Sequence, residues 1–172
     1  PYPSLLKFLE PYALKLGGSF GSLGTQKTPS VLYNSAGIGA ATVICYESVY
    51  GEHCANFVKQ GAQFIAIITN DGWWGNTDGH KQHALYAKLR AIENRRSIAR
   101  SANTGISSFI DQRGDVIQAS KWWEATSLGA AINLNENITY YTEHGDYLAH
   151  WMIAVFIFML LHLVYFKFFA KK

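Results

Sequence analysis

Residues 39–47 read GAATVICYE, and this stretch decides the fold. Its first seven positions are small, β-branched and mostly apolar, which is typical of a strand buried inside a sheet. A segment with helical spacing follows at 50–60 and ends at Gly61. The apolar face of this helix consists of Cys54, Phe57 and Val58. The run FIAIIT at 64–69 predicts a second buried strand, so strands and helices alternate as they do in α/β folds.

The same alternation continues through the middle of the chain. Asn70 and Asp71 are expected to form a turn by bonding their own backbone, and Asp78 can cap a long helix to about Ser97. The apolar stripe of that helix is predicted at Leu85, Leu89 and Ile92. A hairpin is predicted from 106–110 and 116–119, and a last strand from 128–134. We therefore expect an α/β sandwich with mixed sheets over residues 37–140.

The N-terminal stretch, residues 1–36, differs in composition from this domain. An apolar arm rich in Leu, Phe and Tyr leads into a Gly/Ser-rich loop at 17–24. Such an arm either packs on this domain as part of it or dips into a bilayer. The sequence leaves both possibilities open.

The C-terminal stretch is predicted to cross a membrane. Residues 147–166 read YLAHWMIAVFIFMLLHLVYF, twenty positions without Asp, Glu, Lys or Arg. A helix of that length spans the roughly 30 Å hydrocarbon core of a bilayer. Lys167, Lys171 and Lys172 follow it, and the positive-inside rule places them in the cytoplasm. We expect a membrane helix and basic tail at 147–169, with the preceding domain outside the cytoplasm.

The charge balance excludes one class of partner. The chain has 15 Lys and Arg against 12 Asp and Glu, and the three tail lysines account for the net charge of +3. The neutral body therefore has no electrostatic footprint for nucleic acid. Charged residues make up only 16% and aromatic residues 15%, which indicates apolar partners.

Cys45 is the first candidate for chemistry. A cysteine that closes a buried strand before a turn and a helix has the setting that nucleophiles favour. A helix N-terminus stabilises a thiolate, and backbone N–H groups there can bind an oxyanion. The alternative is an inert packing cysteine, as we expect for Cys54. His80 and His83 with Asp78 suggest a metal pair, but no third ligand is spaced to complete it, so neither metal nor cofactor is expected.

The sequence around Cys45 and further along the chain resembles that of one family. Five elements occur in order: VICYE at 43–47, TNDGWWG at 69–75, QH at 82–83, RAIENRR at 90–96 and RSANTGIS at 100–107. Together they resemble the carbon–nitrogen hydrolase (nitrilase) superfamily and, within it, the apolipoprotein N-acyltransferases, from about residue 1 to 134. The resemblance implies a nitrilase-like α-β-β-α sandwich, of which this would be the C-terminal part, followed by one transmembrane helix. It also implies an enzyme in the bacterial inner membrane that works on its periplasmic side.

The resemblance implies a two-step acyl transfer in which Cys45 is the nucleophile. The acyl donor would be a phospholipid of the phosphatidylethanolamine type, and the acceptor the N-terminal α-amino group of a diacylglyceryl-cysteine apolipoprotein. Tyr46 would offer its backbone N–H to the oxyanion, and Glu47 would support the nucleophile unless it is a surface carboxylate. Trp73 is expected to line the acyl pocket, with packing at the turn as its alternative, and His83 to lie near the site.

The chain departs from the family pattern in one respect. The family's Glu base and Lys precede the cysteine, in segments upstream of anything that matches here. Lys7 and Glu10 also precede Cys45, but their surroundings do not match. We therefore expect a C-terminal fragment that is inactive alone.

Three other functions stay open. They are a membrane-anchored amidase, a non-catalytic anchored binding module and, more distantly, a cysteine peptidase that uses His53 or His83. Glu93, Arg96 and Arg100 are expected to form buried structural ion pairs.

Overall fold

One mixed sheet organises the domain. The computed structural model describes residue 26 and residues 28–169, so the predicted N-terminal arm lies almost entirely outside the described residues. Six strands lie side by side in chain order. They are β1 (Leu32–Tyr33), β2 (Gly39–Ile44), β3 (Phe64–Thr69), β4 (Ile98–Ala102), β5 (Ser108–Ile110) and β6 (Val116–Ala119).

The three central strands run parallel and end at one edge. Ala40 of β2 pairs with Phe64 of β3, and Ile65 of β3 pairs with Ile98 of β4. β1, β5 and β6 are antiparallel to their neighbours. Because the carboxyl ends of β2, β3 and β4 meet at one edge, the segments that follow them are brought together there.

The described residues form four helices, α1 (Gly51–Lys59), α2 (Asp78–Asn94), α3 (Tyr140–His144) and α4 (Tyr147–Phe169), and two 3₁₀ turns occupy Cys45–Val49 and Asp71–Trp74. Of these helices, α1 and α2 cover one face of the sheet. The buried apolar core lies between the sheet and the first two helices. Its members include Ala41, Val43, Cys54, Phe57, Ile65, Ile67, Ala87, Ala91 and Ile98. The opposite face is more open, with Ile44 59% and Ile68 53% exposed.

The long helix α2 differs from its prediction. Its N-cap is Thr77, not Asp78, and it ends at Asn94 because Arg95 adopts the left-handed conformation at φ 50°. The predicted stripe is wrong, since Leu85, Leu89 and Ile92 are 42–58% exposed. The buried face instead carries two alanines that allow close packing, together with four polar side chains. These are His80, His83, Arg90 and Asn94, and each has a hydrogen-bond partner.

The predicted last strand is also wrong. Residues 128–134 have no regular secondary structure. The segment lies half-buried or exposed, and its carbonyl at Asn133 accepts only a long side-chain bond from Gln112, at 3.5 Å. A strand requires a ladder of main-chain bonds to a neighbour, and this segment has none among the described residues.

A short junction joins the domain to α4. Thr139 Oγ1 donates to the carbonyl of Glu93 at 2.6 Å, and Thr142 Oγ1 donates to Asn94 Oδ1 at 2.9 Å. After α3 the chain turns at Gly145, whose φ is 67°. The backbone N–H of Asp146 then donates to Glu52 Oε1 of α1 at 3.2 Å.

Helix α4 is long and apolar enough to cross a membrane. Its candidate span is Tyr147–Phe168, with a mean hydropathy of 2.1, and none of it is buried.

Candidate active site

Cys45 lies at a sharp bend between β2 and the first 3₁₀ turn. Its φ of 51° puts a non-glycine residue in the left-handed region, which costs about 1–2 kcal/mol for an L-residue. Strain of this kind persists only where the surroundings impose it, and it is common at active sites. The side chain is half-buried, so a substrate can reach the thiol.

Three side chains hold this bend. Glu47 Oε2 accepts the backbone N–H of Ile44 at 2.8 Å, and Ser48 Oγ donates to the carbonyl of Cys45 at 2.8 Å. His83 Nε2 lies 3.2 Å from the same carbonyl oxygen and 3.1 Å from Ser48 Oγ. Side chains therefore hold the backbone at the Ile44 N–H, one peptide group before Cys45, and at the Cys45 carbonyl.

A buried polar cluster lies behind the bend. Asp71 Oδ1 lies 2.9 Å from both His83 Nδ1 and Thr69 Oγ1, and Asp71 Oδ2 lies 2.6 Å from Arg100 Nη2. Arg100 also donates to the carbonyl of Ile106. Burial alone would raise the pKa of Asp71, but the hydrogen bonds from His83, Arg100 and Thr69 outweigh it and lower the pKa to about 2. Asp71 is therefore an ionised carboxylate at neutral pH.

The cluster depends on one close approach. A Cβ added at Gly105 would lie 2.9 Å from the Cβ and Cγ of Asp71. Such a contact is too short for two carbon atoms, so only glycine fits there. The lack of a side chain at Gly105 therefore allows the loop after β4 to pack directly against the Asp71 carboxylate.

The second cysteine has a different environment. Cys54 is fully buried on the inner face of α1. Burial raises the pKa of its thiol to about 12. It is thus a neutral packing group at physiological pH.

The structure brings most of the predicted site residues to one place. The ring of Tyr46 stacks against His83 with centroids 6.3 Å apart, and Trp74 meets His83 edge-on at 5.0 Å. A cavity of about 230 Å³ opens beside these three rings. Trp73, in contrast, is 86% exposed, and the tryptophan next to His83 is Trp74.

His83 and Glu47 are more constrained than the sequence indicates. His83 is 3% exposed, and both of its ring nitrogens face groups of the protein. Glu47 binds the backbone before Cys45 and lies 3.8 Å from His53 Nε2. In this structure both residues act on the bend that carries the nucleophile candidate.

Sequence reasoning misassigned several polar partners. Asp71 does not merely form a turn, since its carboxylate is buried and pairs with Arg100. Glu93 pairs with Arg90 at 2.9 Å rather than with Arg96. Arg96 instead donates to main-chain carbonyls, among them that of Ala62 at 2.8 Å. One feature of the sequence does indicate the pair of Arg100 and Asp71. Arg100 lies inside the strand sequence IARSA at 98–102, and a charged residue that faces a core requires a partner.

Among the described residues no group of three or more His, Cys, Asp or Glu side chains could hold a metal ion. His80, one of the two histidines with metal-like spacing, stacks on Trp122 at 3.7 Å. Its Nδ1 lies 3.2 Å from the carbonyl of Gly75.

The comparison with known families decides the affiliation. The sequence profile described as carbon–nitrogen hydrolase matches residues 7–141. This chain belongs to the carbon–nitrogen hydrolase family. The resemblance and the fold class inferred from the sequence are thereby confirmed.

Two similar proteins are both named apolipoprotein N-acyltransferase. The chain is 37% identical over 158 residues to an apolipoprotein N-acyltransferase of Chlorobaculum tepidum, and 31% identical over 154 residues to one of Geobacter metallireducens. These alignments cover 90% and 89% of the chain but only 30% and 29% of the relatives. The chain thus spans about a third of the length of the curated relatives it matches.

A solved structure supports the carbon–nitrogen hydrolase fold. An amidase from Nesterenkonia sp. superposes with a TM-score of 0.51 at 18% sequence identity. The match covers 74% of this chain and 48% of the amidase. At this identity the likeness concerns the fold alone.

Proposed function

We propose that this chain carries the nucleophile of a membrane-bound acyltransferase. The enzyme moves a fatty acyl chain from a phospholipid of the phosphatidylethanolamine type to the N-terminal α-amino group of a diacylglyceryl-cysteine apolipoprotein. The supporting relatives are named apolipoprotein N-acyltransferases. The reaction is the last step of bacterial lipoprotein maturation.

One observation carries the assignment of the nucleophile. Cys45 is held in the left-handed conformation at the end of a central parallel strand, in a half-exposed position. The other cysteine, Cys54, is buried and neutral because of its raised pKa. Of the two thiols in the chain, only that of Cys45 has both the access and the fixed geometry that a nucleophile needs.

The chemistry divides into two steps. The Cys45 thiolate attacks the ester carbonyl, a C–S bond forms, and the ester C–O bond breaks. The base that took the thiol proton returns it to the departing lysophospholipid oxygen. The backbone N–H of Tyr46 stabilises the oxyanion. In the second step the amine attacks the thioester, a C–N bond forms, the C–S bond breaks, and the amine proton passes to the base.

The proposed acyl donor and acceptor both reside in a lipid bilayer, and α4 is long and apolar enough to anchor the domain to that bilayer. Its candidate span of 22 residues is uncharged until Lys167. We place the catalytic domain on the periplasmic side of the inner membrane and the C-terminus in the cytoplasm, from the positive-inside rule.

The test of this topology is protease added to spheroplasts, which should cut the domain and spare the Lys171 end. Cleavage only from the cytoplasmic side would contradict it.

The test of the nucleophile uses two matched cysteine variants. Membranes that contain the complete protein are mixed with phosphatidylethanolamine vesicles, and Cys45→Ser is compared with Cys54→Ser. Wild type and Cys54→Ser should gain one acyl mass on Cys45, labile to neutral hydroxylamine. Cys45→Ser should gain no thioester and should lose transfer to a lipopeptide amine. A hydroxylamine-stable adduct, or transfer retained by Cys45→Ser, would contradict the assignment.

The same experiment separates the other candidate functions. An amidase would release free fatty acid from the acyl-enzyme in water without any amine, because water would be its acceptor. A non-catalytic module would form no acyl-enzyme, and Cys45→Ala would leave its biological role unchanged.

A further inference from the structure

The side chains behind Cys45 have the spacing of a Ser–His–Asp triad. Ser48 Oγ lies 3.1 Å from His83 Nε2, and His83 Nδ1 lies 2.9 Å from Asp71 Oδ1. In hydrolases this constellation activates a serine that the substrate can reach. Here Ser48 is 1% exposed, so no substrate meets its hydroxyl.

Ser48, His83 and Asp71, together with Arg100, form a polar array that instead contacts the backbone carbonyl of Cys45, the candidate nucleophile. Nδ1 of His83 donates to Asp71 Oδ1 at 2.9 Å. The opposite nitrogen, Nε2, faces Ser48 Oγ and the Cys45 carbonyl oxygen. Because a carbonyl oxygen can only accept, Nε2 must donate an N–H in order to hold it. Behind the ring, Arg100 Nη2 donates to Asp71 Oδ2 at 2.6 Å.

We propose that His83 is a positioning residue, which acts with Ser48 to hold the Cys45 carbonyl and thereby the left-handed bend that presents the thiol. Asp71 and Arg100 orient the imidazole ring from behind. This inference rests on the proposed role of Cys45 as the nucleophile.

The physical reason is the strain at Cys45. A non-glycine residue at φ 51° relaxes towards negative φ when nothing holds its peptide groups. Such a rotation swings the side chain and redirects the next N–H, that of Tyr46. A misplacement of about 1 Å at a reacting group can cost about 100-fold in rate. The array therefore affects the rate of thiol attack more than the affinity for the donor.

Two substitutions of the same histidine separate positioning from packing. In His83→Asn the amide can replace Nδ1 and keep the bond to Asp71, but nothing replaces Nε2. In His83→Gln the longer side chain can place an amide where Nε2 lies, facing Ser48 and Cys45. His80→Asn is the matched control, because His80 is equally buried on the same helix and bonds Gly75 instead.

Two readouts are measured on the complete protein in membranes. The first is the rate at which iodoacetamide alkylates Cys45, followed by peptide mass. The second is the kcat and KM of acyl-enzyme formation from phosphatidylethanolamine vesicles. We expect His83→Asn to lower the alkylation rate and kcat by at least about ten-fold with KM within two-fold. His83→Gln should stay within about three-fold of wild type, and His80→Asn should match it.

The outcomes are distinct. Wild-type rates in His83→Asn, or equal losses in His83→Asn and His83→Gln, would overturn the positioning role. If His83→Asn fails to fold, Ser48→Ala removes the other contact to the carbonyl and should lower the same two rates. Normal rates in that variant would also overturn the proposal. If wild type forms no acyl-enzyme, the proposed function fails, while the alkylation rates still decide whether His83 positions Cys45.

Discussion

Replacement of Arg100 by glutamine should destabilise the domain far more than the same change at Arg113. Both arginines pair with aspartates, Arg100 with Asp71 at 2.6 Å and Arg113 with Asp111 at 3.6 Å. They differ in exposure, since the Arg100 side chain is 0% exposed and that of Arg113 is 76% exposed. The two variants thus compare a buried and a solvated ion pair of the same type.

The magnitude follows from what Arg100→Gln leaves behind. Removal of one partner of a buried pair strands the other charge and costs about 3–5 kcal/mol. Asp71 keeps the bonds from His83 and Thr69, so we expect a loss near the lower end, about 3 kcal/mol of unfolding free energy. An exposed pair contributes about 0–1 kcal/mol, so Arg113→Gln should cost at most about 0.5 kcal/mol.

The assay is pulse proteolysis in urea on protein held in mild detergent micelles. The fraction that survives a brief protease pulse gives the unfolding midpoint, and the midpoint gives the free energy. A double-mutant cycle adds Asp71→Asn and the double variant. We expect the double variant to lose less than the sum of the two single losses, with a coupling of about 1–3 kcal/mol.

Two results would refute this reasoning. One is an Arg100→Gln loss within 0.5 kcal/mol, on the order of a surface pair, of the loss in Arg113→Gln. The other is simple additivity in the cycle, which would mean that the two side chains do not interact energetically.

The pH dependence of stability, Cys54 and the start of α4 provide three more tests. Because the pKa of Asp71 is lowered to about 2 in the fold, its ionised carboxylate stabilises the protein above pH 4 or so, and this contribution disappears as the pH falls through about 2. Wild type should therefore lose about 2 kcal/mol more than Asp71→Asn between roughly pH 5 and 2, as measured by pulse proteolysis with pepsin; equal losses would contradict the lowered pKa. Cys54→Ala should cost about 1 kcal/mol of unfolding free energy for the lost buried sulfur and leave the acyl-enzyme rate unchanged; a lost activity in folded protein would show that the wrong thiol has been assigned. Glu52→Ala removes the acceptor for the Asp146 N–H and should raise hydrogen exchange at the amides of residues 146–150, whereas exposed Glu124→Ala should not; unchanged exchange in Glu52→Ala would contradict the junction contact.

The apolar elements of the fold were predictable from the sequence. Strands β2 and β3 are short runs of small and β-branched residues, and the alternation of β5 and β6 around a turn indicates a hairpin. Helix α1 has a clear buried face that contains Cys54 and Phe57. For β2, β3 and α1 the burial of apolar surface determines the structure, and periodicity reports it directly. Strand β6 is exposed along its length, and the turn that pairs it with β5 indicates it instead.

Where buried polar groups determine the packing, the sequence misled. On α2 the leucines face outwards, because the buried face is occupied by small residues and by His83 and Arg90, which find partners in other segments. No local pattern indicates that Asp71 and Arg100, 29 positions apart, would meet. Their pairing depends on β3 and β4 lying side by side, which is a property of the tertiary structure.

The candidate nucleophile could be named from the sequence, but the side chains that hold its backbone could not. The strand–turn–helix setting and the family resemblance both indicate Cys45. The side chains that fix its backbone come from the same turn and from α2. Trp73 was expected at the acyl pocket and stays a prediction, while Trp74 is the tryptophan that lies against His83.

The junction before α4 has a mechanical consequence. Only Gly145 and Asp146 separate α3 from α4, and the N–H of Asp146 is bonded to Glu52 on the helix that follows the Cys45 turn. A connection of two residues, one of them bonded to α1, restricts how far α4 can rotate relative to the domain. A helix tilts further when the bilayer is thinner than its apolar length. In the proposed acyltransferase, the tilt of α4 would then set the angle at which the Cys45 thiol faces the lipid surface, and the rate of transfer would depend on bilayer thickness.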